Sequence, residues 1–167
     1  MNNRRIATIA LLSCLSFVGR LTFTFLPNVQ PTTVIILIVT LYFGVVDGVL
    51  VAVISMLMSN LYLGMGIWTI AQIVSYSIIV IVFHLLSLNI KSDIYLSILA
   101  FISGLMYGFF ISLVQAPFIS WYAFIPYYIS GLPYDIAHAV GNLIFFIMLH
   151  PALKPILIRH IEKGQTY

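Results

Sequence analysis

The stretch IYLSILAFISGLMYGFFISLVQA, Ile94–Ala116, carries no charged side chain and a single amide, Gln115. It is longer than the ~20 residues that an α-helix needs to cross ~30 Å of hydrocarbon. Outward from it, Ile67–Leu88 and Ile6–Gly19 are also predominantly apolar. Of 167 residues, 62% are hydrophobic and 7% charged, and the mean hydropathy is +1.14. Soluble domains carry about 25% charged residues, and a chain with so few cannot cover a water-facing surface. The chain reads as an all-α integral membrane protein.

Six transmembrane helices are predicted in a single domain over residues 1–167. They run over Arg5–Phe25, Thr32–Val46, Gly48–Leu63, Ile67–Leu88, Ile94–Ala116 and Tyr128–His150. Asp47 and Gly48 are expected to make a turn and N-cap before the third helix. Arg4, Arg5, Lys91, Lys154, Arg159 and Lys163 all fall on one side of such a bundle. The opposite loops, PNVQP, LGMG and QAPFISWYAFIPYY, contain no Lys or Arg. The positive-inside rule then puts both termini in the cytoplasm. This asymmetry accounts for the net charge of +3 without any nucleic-acid partner.

MNNRR followed by IATIALLSC resembles a signal peptide, but the apolar run continues past Cys14, so a retained first helix is expected. The single cysteine excludes an intrachain disulfide framework and a cysteine-rich metal site. No G-x-x-x-x-G-K-[ST] occurs, so the chain lacks the usual loop for ATP phosphates. Uphill transport would have to draw on an ion gradient or on another protein.

Polar residues inside membrane helices are costly unless they face the bundle or a cavity. Asp135, His138 and Asn142 are spaced i, i+3, i+7 and share one face of the sixth helix. Trp68, Gln72 and then Ser75 or Tyr76 share a face of the fourth. Arg20 lies near the outward end of the first helix, Asn60 and Gln115 near the outward ends of the third and fifth. These residues can converge in an aromatic-walled cavity in the outer half of the bundle, with Trp121, Tyr122, Tyr127 and Tyr128 at the same level. Other readings stay open. Trp121 and Tyr122 also suit an interfacial belt; Arg20 and Asp135 also suit a structural ion pair; Gln72 also suits a bond to a neighbouring helix. His84 and His150 read as ordinary residues of the cytoplasmic interface. Asp135 and His138 alone are too few for a metal site, so neither a metal nor a catalytic residue is assigned.

Ala7, Ala10 and Cys14, at i, i+3, i+7, form a stripe of small side chains on the first helix. Such stripes permit close helix approach, either within the bundle or to a partner subunit. Between helices 1 and 2, FLPNVQPTTVII sets Asn28, Val29 and Gln30 between two prolines, each of which stiffens the chain. Thr32 and Thr33 are expected to cap helix 2. This loop reads as a preformed lid that projects the amides of Asn28 and Gln30.

Taken over nearly its whole length, the chain resembles the substrate-binding S components of energy-coupling factor (ECF) vitamin transporters. VGRLTFTFLPNVQPTT and NLYLGMGIWTIAQ are the most specific pieces. The resemblance implies a high-affinity, non-catalytic binding subunit of an ABC importer in a bacterial cell membrane. It would bind a vitamin or related micronutrient beneath the first loop. Its implied partners are a transmembrane T component and two cytoplasmic ATPases, which bind the ATP; no cofactor is implied for this chain. The family's small-residue motif falls on Ala10-x-x-x-Cys14, with Cys in place of the second Ala. The candidate ligand residues are Arg20, Asn28, Gln30, Asn60, Trp68, Gln72, Gln115, Trp121, Tyr127, Asp135 and His138.

Arg20 as a bidentate carboxylate ligand makes pantothenate the preferred ligand. Asp135 with the aromatics suits a pyrimidine or a pyridoxine-like ring, and a corrinoid such as cobalamin needs a wider opening. Two rival classes remain: a stand-alone ion-coupled carrier with Asp135 as the ion site, and a membrane-embedded enzyme using Asp135 and His138.

Overall fold

The computed structural model describes residues 3–165; residues 1, 2, 166 and 167 of the expected domain, and the side chains of 163–165 including Lys163, lie outside that description. Six helices form the described chain: α1 (Asn3–Thr22), α2 (Thr32–Phe43), α3 (Val45–Leu63), α4 (Ile67–Ser87), α5 (Asp93–Ile119) and α6 (Phe124–Gln165). A short 3-10 turn, Trp121–Ala123, joins the last two. All helices except α2 are long and apolar enough to cross a membrane. Arg5 of α1 meets Asp47 of α3, Thr8 of α1 meets His160 of α6, and Tyr42 of α2 meets His150 of α6. These contacts place Arg5, His150 and His160 at one end of the bundle, here the basic end. The loops after α1, α3 and α5 lie at the other end.

The sixth helix departs most from expectation. It extends in both directions, absorbing the loop residues Phe124–Tyr127 and continuing past His150 through Pro151 and Pro155. His150 is buried, not interfacial: only 2% exposed, it bonds Tyr42 at 3.0 Å and lies 3.5 Å from Asp93.

α2 is the centre of the bundle. Every residue from Thr32 to Thr40 is buried. A helix apolar all round is stable only with neighbours on all sides, and α2 packs on α1, α3, α4, α5 and α6. The turn after it is not at Asp47–Gly48. It falls at Gly44, whose φ of 87° suits glycine and few other residues. Asp47 lies inside the first turn of α3 and does not cap it. It is 4% exposed and accepts from Arg5 Nε at 2.8 and 3.1 Å, which ties α3 to α1.

The α5–α6 seam is made by Gly104 and Gly108. A Cβ at 104 would lie 2.6 Å from the Cα of Ala139, so the two backbones are in contact there. At 108 the missing side chain leaves room for the carboxylate of Asp135. Small residues four apart allow this approach in a membrane, where packing takes over from the hydrophobic effect.

The loop after α1 is anchored at several points. Pro31 packs on the bare backbone of Gly19, and Val29 packs on Gly141 of α6. Phe23 meets Phe145 edge-to-face at 5.2 Å. Asn28 takes φ 58°, a left-handed conformation that Asn tolerates better than most. Thr32 and Thr33 do not cap α2. Thr32 donates to the Ser16 carbonyl at 3.1 Å, and Thr33 bonds both Tyr76 and His138.

Candidate functional site

A cavity of about 650 Å³ opens at the end away from the basic residues. The loop supplies Pro27 and Asn28; α4 supplies Trp68 and Gln72; α5 supplies Tyr107, Gly108, Ile111, Ser112 and Gln115. From α6 come Tyr127, Ser130, Gly131, Tyr134 and Asp135. The size is that of small-molecule sites generally.

Local packing sets each wall. The Trp68 ring lies on the bare backbone of Gly66, and its Nε1 donates to the Gly64 carbonyl at 3.3 Å. Gln72 is fixed from behind: Asn60 Nδ2 donates to Gln72 Oε1 at 2.7 Å and to Thr69 Oγ1 at 3.1 Å. The Gln72 amide also lies against the Tyr107 hydroxyl. Ser112 and Ser130 turn their hydroxyls back to the carbonyls of Gly108 and Tyr127, which satisfies them within their own helices. Asp135 is different. It is 5% exposed, lines the cavity, and has no hydrogen-bond or ion-pair partner among the described residues.

Beneath this layer lies a buried aromatic and hydroxyl network. The Tyr107 ring stacks on His138 at 5.2 Å and 9°, and packs against Tyr76 at 4.8 Å. Thr33 Oγ1 joins the other sides of both partners, 3.0 Å from Tyr76 Oη and 2.9 Å from His138 Nε2. His138 Nδ1 has no hydrogen bond among the described residues, and the main chain of Asn28 lies beside that ring. The floor under Tyr107 is thus tied to α2, α4, α6 and the loop.

Of the residues singled out from sequence, Asn28, Trp68, Gln72, Gln115, Tyr127 and Asp135 line the cavity. Asn60 and His138 sit one layer behind it. Gln30 is half-buried in the loop without facing the cavity, and Trp121 is 63% exposed in the 3-10 turn. Arg20 neither pairs with Asp135 nor enters the cavity. Its guanidinium donates to Ser59 at 2.7 Å and to Met56 Sδ at 3.1 Å, both on α3. Sequence reasoning missed Tyr107, Ser112, Ser130 and Tyr134 as wall residues, although their spacing marks them. Gly108, Ile111, Ser112 and Gln115 follow i, i+3, i+4, i+7 on α5, and Tyr127, Ser130, Gly131 and Tyr134 do the same on α6.

On the other side of α1, Ala7, Ala10 and Cys14 are exposed. Ala10 and Cys14, with Ile6, Ile9, Leu50, Ile54 and Met58, line a shallow apolar groove of about 390 Å³ between α1 and α3.

The family model for the ECF transporter, substrate-specific component, matches residues 4–156. The chain belongs to this family. No curated protein and no solved structure matches it. It is therefore a substrate-specific subunit of a transporter, built as a multi-pass membrane bundle. The family match runs from the first turn of α1 to the part of α6 just beyond His150. As an S component, the chain has one cavity whose walls combine aromatic rings, amides and a buried carboxylate.

Proposed function

We propose that this S component binds a vitamin or related micronutrient in the cavity beneath residues 27–28 and delivers it to an ECF-type importer of a bacterial cell membrane. The observation that carries the reading is the cavity itself, formed where the first loop, α4, α5 and α6 meet at the end whose loops carry no Lys or Arg. With the basic end in the cytoplasm, the cavity faces outward and the proline-bounded loop covers part of its mouth. The whole chain acts as one domain, without catalysis and without a cofactor of its own.

Energy comes from partners: a transmembrane T component and two ATPases. The groove lined by Ala10 and Cys14 is the docking face, because small side chains there leave α1 open to close approach. Support for pantothenate rested on Arg20, which is engaged with α3; a small ring-bearing ligand suits the walls better than an aliphatic carboxylate, and suits the cavity's size better than a corrinoid.

The test is Ala10→Trp. Co-purification with the T component is expected to be lost while ligand binding by the isolated subunit persists. Normal co-purification would remove the docking face from the proposal. Uptake by the chain alone in proteoliposomes would replace the whole reading with an ion-coupled carrier using Asp135.

A further inference from the structure

We infer that the cavity selects an aromatic organic cation, held by Asp135 as counter-ion against walls of tryptophan and tyrosine. This rests on the S-component reading and names the class of its substrate. Three observations carry it. Asp135 is the only ionisable acid or base among the described residues that line the cavity, the tyrosine hydroxyls apart. It is 5% exposed and has no hydrogen-bond or ion-pair partner among the described residues, a costly state for a carboxylate inside a membrane bundle unless a ligand supplies the charge. The walls bear Trp68, Tyr127 and Tyr134, whose rings can attract cations and stack on flat rings, while the Tyr107 ring is already stacked on His138.

Arg20 does not line the cavity, and its Nη1 is engaged with Ser59 and Met56 of α3. An anionic ligand would meet the Asp135 carboxylate with no cation on the wall to offset it. Gly108 strengthens the argument. Its bare backbone makes room on α5 for the carboxylate, so Asp135 and Gly108 line the cavity side by side.

The experiment compares probes that share a ring and differ in one charged group. Pyridoxamine carries an ammonium, pyridoxine a hydroxyl and 4-pyridoxate a carboxylate; thiamine adds a cation of fixed charge. Dissociation constants are measured on the purified full chain in detergent by calorimetry and by quenching of its tryptophan fluorescence. One of the two cations is expected to bind, at least roughly 30-fold tighter than to Asp135→Asn. If pyridoxamine is the one bound, it should exceed pyridoxine by a comparable factor, and 4-pyridoxate should not bind. Ligand-free melting of Asp135→Asn checks that the variant folds; if it does not, the wild-type charge series decides alone.

Tighter binding of 4-pyridoxate or pantothenate than of either cation overturns the inference while leaving the S-component reading intact. So does equal affinity for pyridoxamine and pyridoxine, which would make Asp135 a neutral donor, and so does the absence of binding by both cations. Failure of the S-component reading is read separately, from whether the wild-type chain co-purifies with a T component.

Discussion

Gly104→Ala tests the seam that holds the cavity together. A Cβ there would lie 2.6 Å from Ala139 Cα, 2.8 Å from Ala139 N and 2.9 Å from Asn142 Nδ2. Ordinary carbon contacts are ~3.5–4.0 Å, so α5 and α6 must separate by about 1 Å at that level. Overpacking costs about 1–3 kcal/mol, and contact with main chain, which cannot rotate away, puts this case near the upper limit. Alanine returns about 1 kcal/mol of helix propensity relative to glycine. The net is a loss of about 2 kcal/mol, or a melting temperature about 4–8 °C lower for a protein of this size.

Gly131→Ala is the matched control. Its nearest neighbour would be Asp135 Oδ2 at 3.9 Å, an ordinary contact, so only the propensity gain remains. A rise of about 2–4 °C is expected. Both variants are melted as ligand-free protein in the same detergent, followed by intrinsic fluorescence. A Gly104→Ala protein as stable as wild type would refute main-chain contact between α5 and α6. So would a Gly131→Ala protein that loses as much stability as Gly104→Ala.

Two further outcomes follow from the polar contacts. Thr33→Val removes the hydroxyl shared by Tyr76 and His138 at nearly constant volume; melting should show a loss of about 1–2 kcal/mol. Ligand binding should weaken with it, because Tyr107 stacks on His138, and unchanged affinity would sink the idea that this network supports the floor. Arg20→Met should lower stability by about 1–2 kcal/mol through the lost charged donor to Ser59, while leaving the ligand dissociation constant within twofold; a large loss of affinity would return Arg20 to the site.

The membrane class was legible from Ile94–Ala116 and its neighbours, because an uncharged, predominantly apolar run of more than ~20 residues has few other uses. Three of the six cavity residues identified from sequence, Gln72, Gln115 and Asp135, are those whose polarity stands out in an apolar helix. The depth of Arg20 was legible too, but not its direction around the helix. It continues the buried face formed by Ile9, Leu12, Ser13 and Ser16, which is turned from the cavity toward α3. That face can be read from spacing only after the buried side of α1 is known. The Asp47–Gly48 pair looked like a turn because both residues favour turns, yet a distant partner, Arg5, outweighed that local preference. Gly104 and Gly108, four apart in a long apolar run, carried a packing signal that attention to polar residues passed over.

The burial of α2 has a consequence for how the protein is made. At 12 residues it is about 18 Å long, well short of the ~30 Å hydrocarbon layer. Its threonines bond to α1, α4 and α6, the last of which is synthesised long after it. A segment this short cannot hold a stable position against lipid on its own, and Gly44 leaves no slack between it and α3. It is expected to enter the bilayer together with α3, and its bonds are complete only once α6 packs against it. The sixth helix, made well after the second, completes its environment.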